Sequence, residues 1–318
     1  MFFFLLLAVV VFIIIFIPVV TPVNKQAEVT AEYEWDPPDT LRIPATAEGD
    51  LIRYGKSLIG NTAFYLGPNG KIAHMSNGMN CQNCHLEAGT RFRGNNYGAV
   101  FSTYPKFRAR SGTIESIYTR INDCFERSLN GTSLDTTAKE MRAMYAYIKW
   151  LGRKVLPNKI PAGSGIADLD FLDRAADPNE GKTVYLQKCV RCHGATGTGL
   201  PNTGSTGYTY PPLWGENSYT TAAGLFRLSR LAGFIKYNMP FSNTGYDSTQ
   251  LSNEDAWDLA AFISSQPRPS KQYPNDWPDI SAKPVDHPFG PYTDSFSERQ
   301  HKYGPFAAIE KAGKKSRK

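Results

Sequence analysis

Apolar and polar positions follow several different rhythms along this chain. Phe2 to Val20 is an almost unbroken apolar run interrupted by Pro18, and its roughly 19 residues just suffice to cross a hydrocarbon core of about 30 Å. The run predicts either an uncleaved anchor or a secretory signal. No Lys or Arg precedes it, and the Val29-x-Ala31 pair that could serve a signal peptidase lies well beyond its end. Residues 24–47, rich in Thr, Pro and Glu, read as a spacer. Leu51, Ile52, Leu58, Ile59 and Tyr65 then predict an opening helix. Met141, Met144, Tyr145, Ile148 and Leu151 repeat at i, i+3, i+4, i+7 and i+10, which predicts a closing helix with one apolar face. Between them, Thr113 as N-cap and Asn130-Gly131 as stop frame a further helix. The pair recurs downstream. Asp177-Pro178-Asn179-Glu180 offers a cap, a proline at the first helical position and an acid in the first turn, and Ser252-Asn253-Glu254-Asp255 caps a helix carrying Trp257, Ala260, Ala261 and Ile263. Pro267 to Lys318 has little periodicity, but its Tyr273, Trp277, Phe289, Tyr292 and Phe306 predict a tail that wraps back over the rest.

Composition narrows the class. The 318 residues are about two domains' worth. With 41% hydrophobic and 20% charged residues, neither a disordered chain nor a multi-span membrane protein fits. The formal net charge of +6 is partly gathered in Lys311, Lys314, Lys315, Arg317 and Lys318, a basic end too small to argue for nucleic acid. The 27 glycines and 22 prolines imply many turns and short helices.

Four of the five cysteines form two Cys-x-x-Cys-His units, Cys81-Gln82-Asn83-Cys84-His85 and Cys189-Val190-Arg191-Cys192-His193. In such a unit the thiols add to the vinyl groups of a haem, and the adjacent imidazole is placed on the iron. A single zinc site would need the two distant pairs to converge and would leave both histidines as coincidence. Disulfides would not ask for a histidine after the second cysteine. The second unit has a candidate for the far side of its iron: Met239, in Asn238-Met239-Pro240, lies far enough along to wrap round the macrocycle, the other reading being a methionine that fills a gap in the core. The first unit has no Met-Pro before its closing helix. In its place stands the fifth cysteine, Cys124. On a helix, Arg120, Cys124 and Ser128 share a face, with Arg110 close before it. Two readings of Cys124 remain, a small buried hydrophobe or a thiolate favoured by cations and iron. Arginines beside a sulfur nucleophile suit a small oxyanion. The expected fold is all-α: two class I cytochrome c-like domains with long loops, preceded by the anchor or signal. The expected limits are 1–23 for that segment, 24–47 spacer, 48–156 first domain, 157–176 linker, 177–266 second domain and 267–318 tail.

Over roughly residues 48 to 310 the chain resembles the dihaem thiosulfate dehydrogenases, tetrathionate-forming cytochromes c of bacterial periplasms. The resemblance is most specific at Arg120-Ile121-Asn122-Asp123-Cys124-Phe125-Glu126-Arg127-Ser128-Leu129-Asn130-Gly131. It continues in Asn238-Met239-Pro240, Pro288-Phe289-Gly290-Pro291-Tyr292 and Gln300-His301-Lys302-Tyr303-Gly304-Pro305-Phe306. It implies two covalently bound haem c groups attached through Cys81, Cys84, Cys189 and Cys192. It further implies a catalytic iron between His85 and Cys124, with Arg110, Arg120 and Ser128 at the active site. The second iron would serve electron transfer, with His193 proximal and, since family members use Met or Lys, Met239 as the expected far ligand beside a nearby Lys236. The implied reaction couples two thiosulfates into tetrathionate and passes two electrons through the second haem to a small c-type cytochrome or similar periplasmic acceptor. The same site could serve the reverse reaction, tetrathionate reduction, according to the haem potentials. Two rivals stand beside it: a dihaem electron carrier without substrate chemistry, and a cytochrome subunit like that of the Sox complex. The expected location is the periplasm, with residues 2–20 as an inner-membrane anchor or removed as a signal.

Overall fold

The computed structural model describes residues 29–316. The apolar run Phe2–Val20 therefore lies outside the described residues, and within them no helix is long and apolar enough to cross a membrane.

Two crossed helix pairs set the frame. In the first half, Ala47–Gly60 starts where the Thr46 hydroxyl accepts from Gly49 N at 3.1 Å, with Glu48 and Asp50 in the first turn, where the helix dipole favours acids. The helix stops at Asn61 and the chain resumes as Thr62–Leu66, so the opening helix expected to run through Tyr65 is two helices. Lys139–Gly152 crosses the first of them at Gly55, so closely that a β-carbon there would stand 2.0 Å from Ala143 O. Ile52, Leu58 and Ile59 meet Met144, Tyr147, Ile148 and Leu151 in one core.

The second half repeats the plan. Pro178–Lys188 is capped by Asp177, whose carboxylate accepts from Asn179 N at 2.8 Å, and Asn253–Ser265 by a reciprocal Ser252–Asp255 box. They cross at Gly181, where a β-carbon would meet Asp258 O at 1.9 Å. A third helix, Leu228–Asn238, lays Leu228, Leu231 and Ile235 against Tyr185 and Trp257.

The strictly all-α expectation needs correction. Three two-stranded ladders close the loops: Val29–Glu34 beside Ile160–Ala162 in parallel, and Lys106–Arg108 with Thr113–Glu115 and Leu200–Pro201 with Tyr208–Tyr210, both antiparallel. Loop backbone held against a domain must find partners for its N–H and C=O groups, and short ladders supply them. The first ladder ties the segment read as a spacer to the segment read as a linker. Next to it Trp35 is 3% exposed and its N–H donates to Ala162 O at 3.1 Å.

The halves touch directly. Leu86 of the first packs on Leu225 and Phe234 of the second, with Cys84 and Met239 against the same cluster. Asn238 Nδ2 donates to Arg93 O at 3.2 Å and Thr220 Oγ1 to Arg127 O at 2.7 Å. The segment after residue 266 runs over both. Arg127 makes a two-pronged pair with Asp276 at 2.6 and 2.8 Å, Asp286 receives Arg227 and Ser229, and Phe306 and Ile309 enter the second core. His301 is held by Val285 O and Asp294 and stacks on Tyr292. His287 accepts from the Trp277 indole at 3.1 Å.

Candidate active site

Cys81, Cys84, His85 and Cys124 all line one cavity of about 620 Å³. Its floor is built by the break in the opening helix: Thr62 Oγ1 accepts from Cys81 N at 3.0 Å, and Ala63 N donates to Asn80 Oδ1 at 2.8 Å. His85 Nδ1 pairs with Asn95 O at 2.6 Å and its ring stacks on Tyr97 at 4.5 Å, which fixes the imidazole plane and leaves Nε2 for a ligand. Burial, partly opposed by the Asn95 carbonyl, pushes the imidazole down to about 4, so it stays neutral and able to ligate. Burial pushes the Cys81 thiol up to about 11 and the Cys84 thiol up to about 12. Sulfurs so placed suit uncharged thioethers. These residues fit a covalently attached haem.

Cys124 owes its position to an irregular turn. Ile117–Asp123 is α-helical and capped by Ser116, whose hydroxyl accepts from Thr119 N at 3.1 Å. Thr113, expected as the cap, belongs instead to the strand Thr113–Glu115. From Cys124 to Ser128 the chain widens into a π-turn, with Leu129 N donating to Cys124 O at 3.0 Å. Such turns often mark functional positions. Arg120, Cys124 and Ser128 all reach the cavity wall. The Cys124 sulfur holds the Arg120 guanidinium above its ordinary range, against the effect of burial.

The wall is strongly cationic. Arg93, Lys106, Arg108, Arg120, Arg227 and Arg230 line it, against one acid, Asp168, which is paired with Arg230 at 2.9 Å. Lys106 and Arg108 were not singled out from the sequence. Their alternation along a hairpin strand was the available signal, since positions two apart share a face. Burial, helped by Arg108 and Arg120, pushes Lys106 down to about 8. Arg110 lies past the strand end and lines a cavity that adjoins the first at Arg227, close enough for its charge to act on Arg120 and Asp123. Trp277 N donates to Arg110 O at 2.6 Å and holds that turn against the tail.

Cys189, Cys192, His193 and Met239 line a smaller cavity of about 170 Å³. His193 Nδ1 pairs with Pro211 O at 2.9 Å, the counterpart of the His85 arrangement. Lys236 does not reach this cavity, and its ammonium donates to Leu251 O. Cys84 lines both cavities, so one thin wall separates them. Among the described residues no group of three or more His, Cys, Asp or Glu is placed to hold a metal ion by itself.

Two Cys-x-x-Cys-His cavities, each closed by a crossed helix pair, define a c-type cytochrome with two haems, and the first cavity is also lined by the fifth cysteine. The SoxA/TsdA cytochrome c domain model matches residues 71–155 and the cytochrome c model matches residues 178–267. The thiosulfate dehydrogenase of Psychrobacter arcticus is 38% identical over 248 residues, covering 77% of this chain and 72% of that protein. That of Allochromatium vinosum is 37% identical over 241 residues, covering 74% of this chain and 85% of that protein. A solved structure of thiosulfate dehydrogenase (TsdBA) from Marichromatium purpuratum, in its as-isolated form, matches with a TM-score of 0.68 at 30% identity. That match covers 75% of this chain and 50% of the other, so this chain spans half the length of that one. The chain belongs to the thiosulfate dehydrogenase family, and it is an oxidoreductase with two covalently bound haem c groups.

Proposed function

We propose that this chain couples two thiosulfates into tetrathionate at Cys124. One observation carries the reading: the only cysteine outside the two attachment units shares a cationic cavity with Cys81, Cys84 and His85. In this reading Cys81 and Cys84, and Cys189 and Cys192, attach the haems. His85 and Cys124 would hold the first iron, and His193 and Met239 the second. When bound, the haems supply acceptors for two electrons, which pass on to a small external c-type cytochrome. Arg120, Ser128 and the other cations of the wall orient the sulfonate oxygens and offset the repulsion between dianions. The Cys124 thiolate joins the outer sulfur of one thiosulfate, forming a bound disulfide-like adduct as two electrons leave. The outer sulfur of a second thiosulfate then attacks the adduct's outer sulfur, tetrathionate departs, and Cys124 is again a thiolate. The same residues serve tetrathionate reduction when the electron flow reverses. The cysteine-ligand chemistry and the anion-binding wall favour an enzyme over a plain electron carrier. We place the protein in the periplasm, anchored by residues 2–20 or freed by signal cleavage, with haem domains at 48–156 and 177–266.

Cys124→Gly is the direct test. The variant should retain both haems and lose the thiolate bands of the first in visible and near-infrared spectra, and thiosulfate-dependent ferricyanide reduction should fall at least about a thousandfold. Undiminished turnover would reject the assignment.

A further inference from the structure

Met239 stands at the head of a loosely packed loop. Met239, Pro240, Phe241 and Ser242 form one wall of the second cavity, and the helix Leu228–Asn238 ends just before them. From Pro240 to Thr249 the chain consists of turns closed by a single bridge, Gly245 to Ser248. Its own hydrogen bonds are short-range: Asn243 N donates to Pro240 O at 3.1 Å, and Ser248 N to Gly245 O at 3.2 Å. Thr244, 5% exposed, is the one buried residue between Met239 and Leu251. A loop with so few contacts of its own opens at little cost unless something outside holds it.

What holds it comes from the other half of the chain. Among the described residues, the hydrogen bond that ties 240–249 to another part of the fold runs from Arg91 Nη2 to Thr244 O, at 2.6 Å. The same guanidinium lies over the Phe241 ring, 4.6 Å from its centroid, and its other arm pairs with Glu87 at 3.0 Å. The Phe92 ring meets Tyr246 edge-on at 5.2 Å, and Arg93 O accepts from Asn238 Nδ2 immediately before the methionine. This anchoring segment is itself firm: Arg91 O accepts from Gly94 N and from Asn96 Nδ2, each at 3.0 Å. Four residues beyond Arg91, Asn95 O fixes the His85 ring.

We propose that Arg91, of the first half, is a positioning residue for the second haem: by pinning Thr244 and Phe241 it keeps the Met239 sulfur on the far side of the second iron. The inference rests on the ligand set proposed above for that iron. A thioether brings no charge to the metal, so its occupancy depends on how firmly the loop presents the sulfur. One charge-assisted hydrogen bond to that loop is worth about tenfold in that occupancy. Because the same segment orients His85, the first half has a hold on the ligands of both irons.

The test is spectroscopic and uses the ferric holoprotein. Methionine on a ferric haem gives a sulfur-to-iron charge-transfer band in the far red, and added imidazole displaces the sulfur and abolishes that band. In Arg91→Gln the imidazole concentration that removes half of the band should fall about tenfold, while the thiolate bands of the first haem respond as in the unchanged protein. Arg91→Lys, which keeps the charge but cannot serve both Glu87 and Thr244, should lie in between. Tyr246→Leu thins the same seam from the opposite side and should shift the half-point in the same direction. An unchanged half-point in Arg91→Gln, or in Tyr246→Leu should the first variant fail to mature, overturns the inference, as does an equal shift at the first haem. The ligand set is judged by the unchanged protein: a missing far-red band there removes Met239 from the iron and this inference with it, whereas a band present but indifferent to Arg91 removes this inference alone.

Discussion

At the scale of single residues, Lys106 gives the reaction cavity a built-in response to pH. Burial and the adjacent guanidinium groups of Arg108 and Arg120 bring its ammonium down to about 8, so it carries charge at neutral pH and gives it up in mild alkali. Lowering favours the neutral form, so the anion-holding charge is present below about 8 and fades above it. Raising the pH from about 7 to about 9 should therefore raise KM for thiosulfate by up to about tenfold. Lys106→Met should have the higher KM throughout and a flatter profile, and an unchanged slope in that variant would count against Lys106. Residues of this kind were legible in the sequence only where chemistry is local. The Cys-x-x-Cys-His units announce themselves because the porphyrin dictates their spacing. Lys106 and Arg108 did not, because their convergence on Cys124 depends on a three-residue strand that no periodicity longer than itself could signal. Arg110 was legible as a cation near the sulfur helix, but which cavity it enters is decided by Trp277, far away in the chain.

At the scale of elements, the two crossed helix pairs are alike down to their glycines. Gly181→Ala would drive a β-carbon to 1.9 Å from Asp258 O, a backbone atom that cannot step aside without parting the helices. Overpacking of this sort costs about 1–3 kcal/mol, so the denaturant midpoint should fall while the dependence on denaturant stays the same. A midpoint equal to that of the unchanged protein would mean that the crossing can open freely. Both closing helices could be read from apolar spacing because each buries one long stripe. The opening helix of the first half could not be read correctly, because its break at Asn61 is enforced by partners elsewhere. Thr62 and Ala63 turn aside to hold Asn80 and Cys81. The π-turn at Cys124–Ser128 escaped for a related reason, since an extra residue in one turn leaves no mark on side-chain type.

At the scale of the whole molecule, the tail is fastened most firmly at Asp286, which is 1% exposed and receives the Arg227 guanidinium together with the N–H and hydroxyl of Ser229. Burial alone would raise its carboxyl, but Arg227 and Ser229 outweigh that and hold it below the ordinary aspartate range. A depressed folded value adds stability that is complete above the unfolded value and lost as acid carries the pH down through the folded one. Asp286→Ala leaves Arg227 without its counter-ion and should cost about 3–5 kcal/mol, lowering the melting temperature and exposing the segment after residue 266 to limited proteolysis. Equal melting and protease resistance would show that the aromatic contacts of Phe306 suffice by themselves. The aromatics of this segment pointed to a packed tail, but neither Asp286 nor Asp276 stood out, since each becomes meaningful only opposite an arginine from a different part of the chain.

That fastening has a bearing on biogenesis. A chain made from its N-terminus presents both attachment units well before residues 267–316 exist, and those last residues close over Arg110, Arg127 and Arg227 only when the earlier parts stand in place. A polypeptide stopped short of that strap would keep both attachment units yet lack one wall of the chamber that Arg110 and Arg227 line.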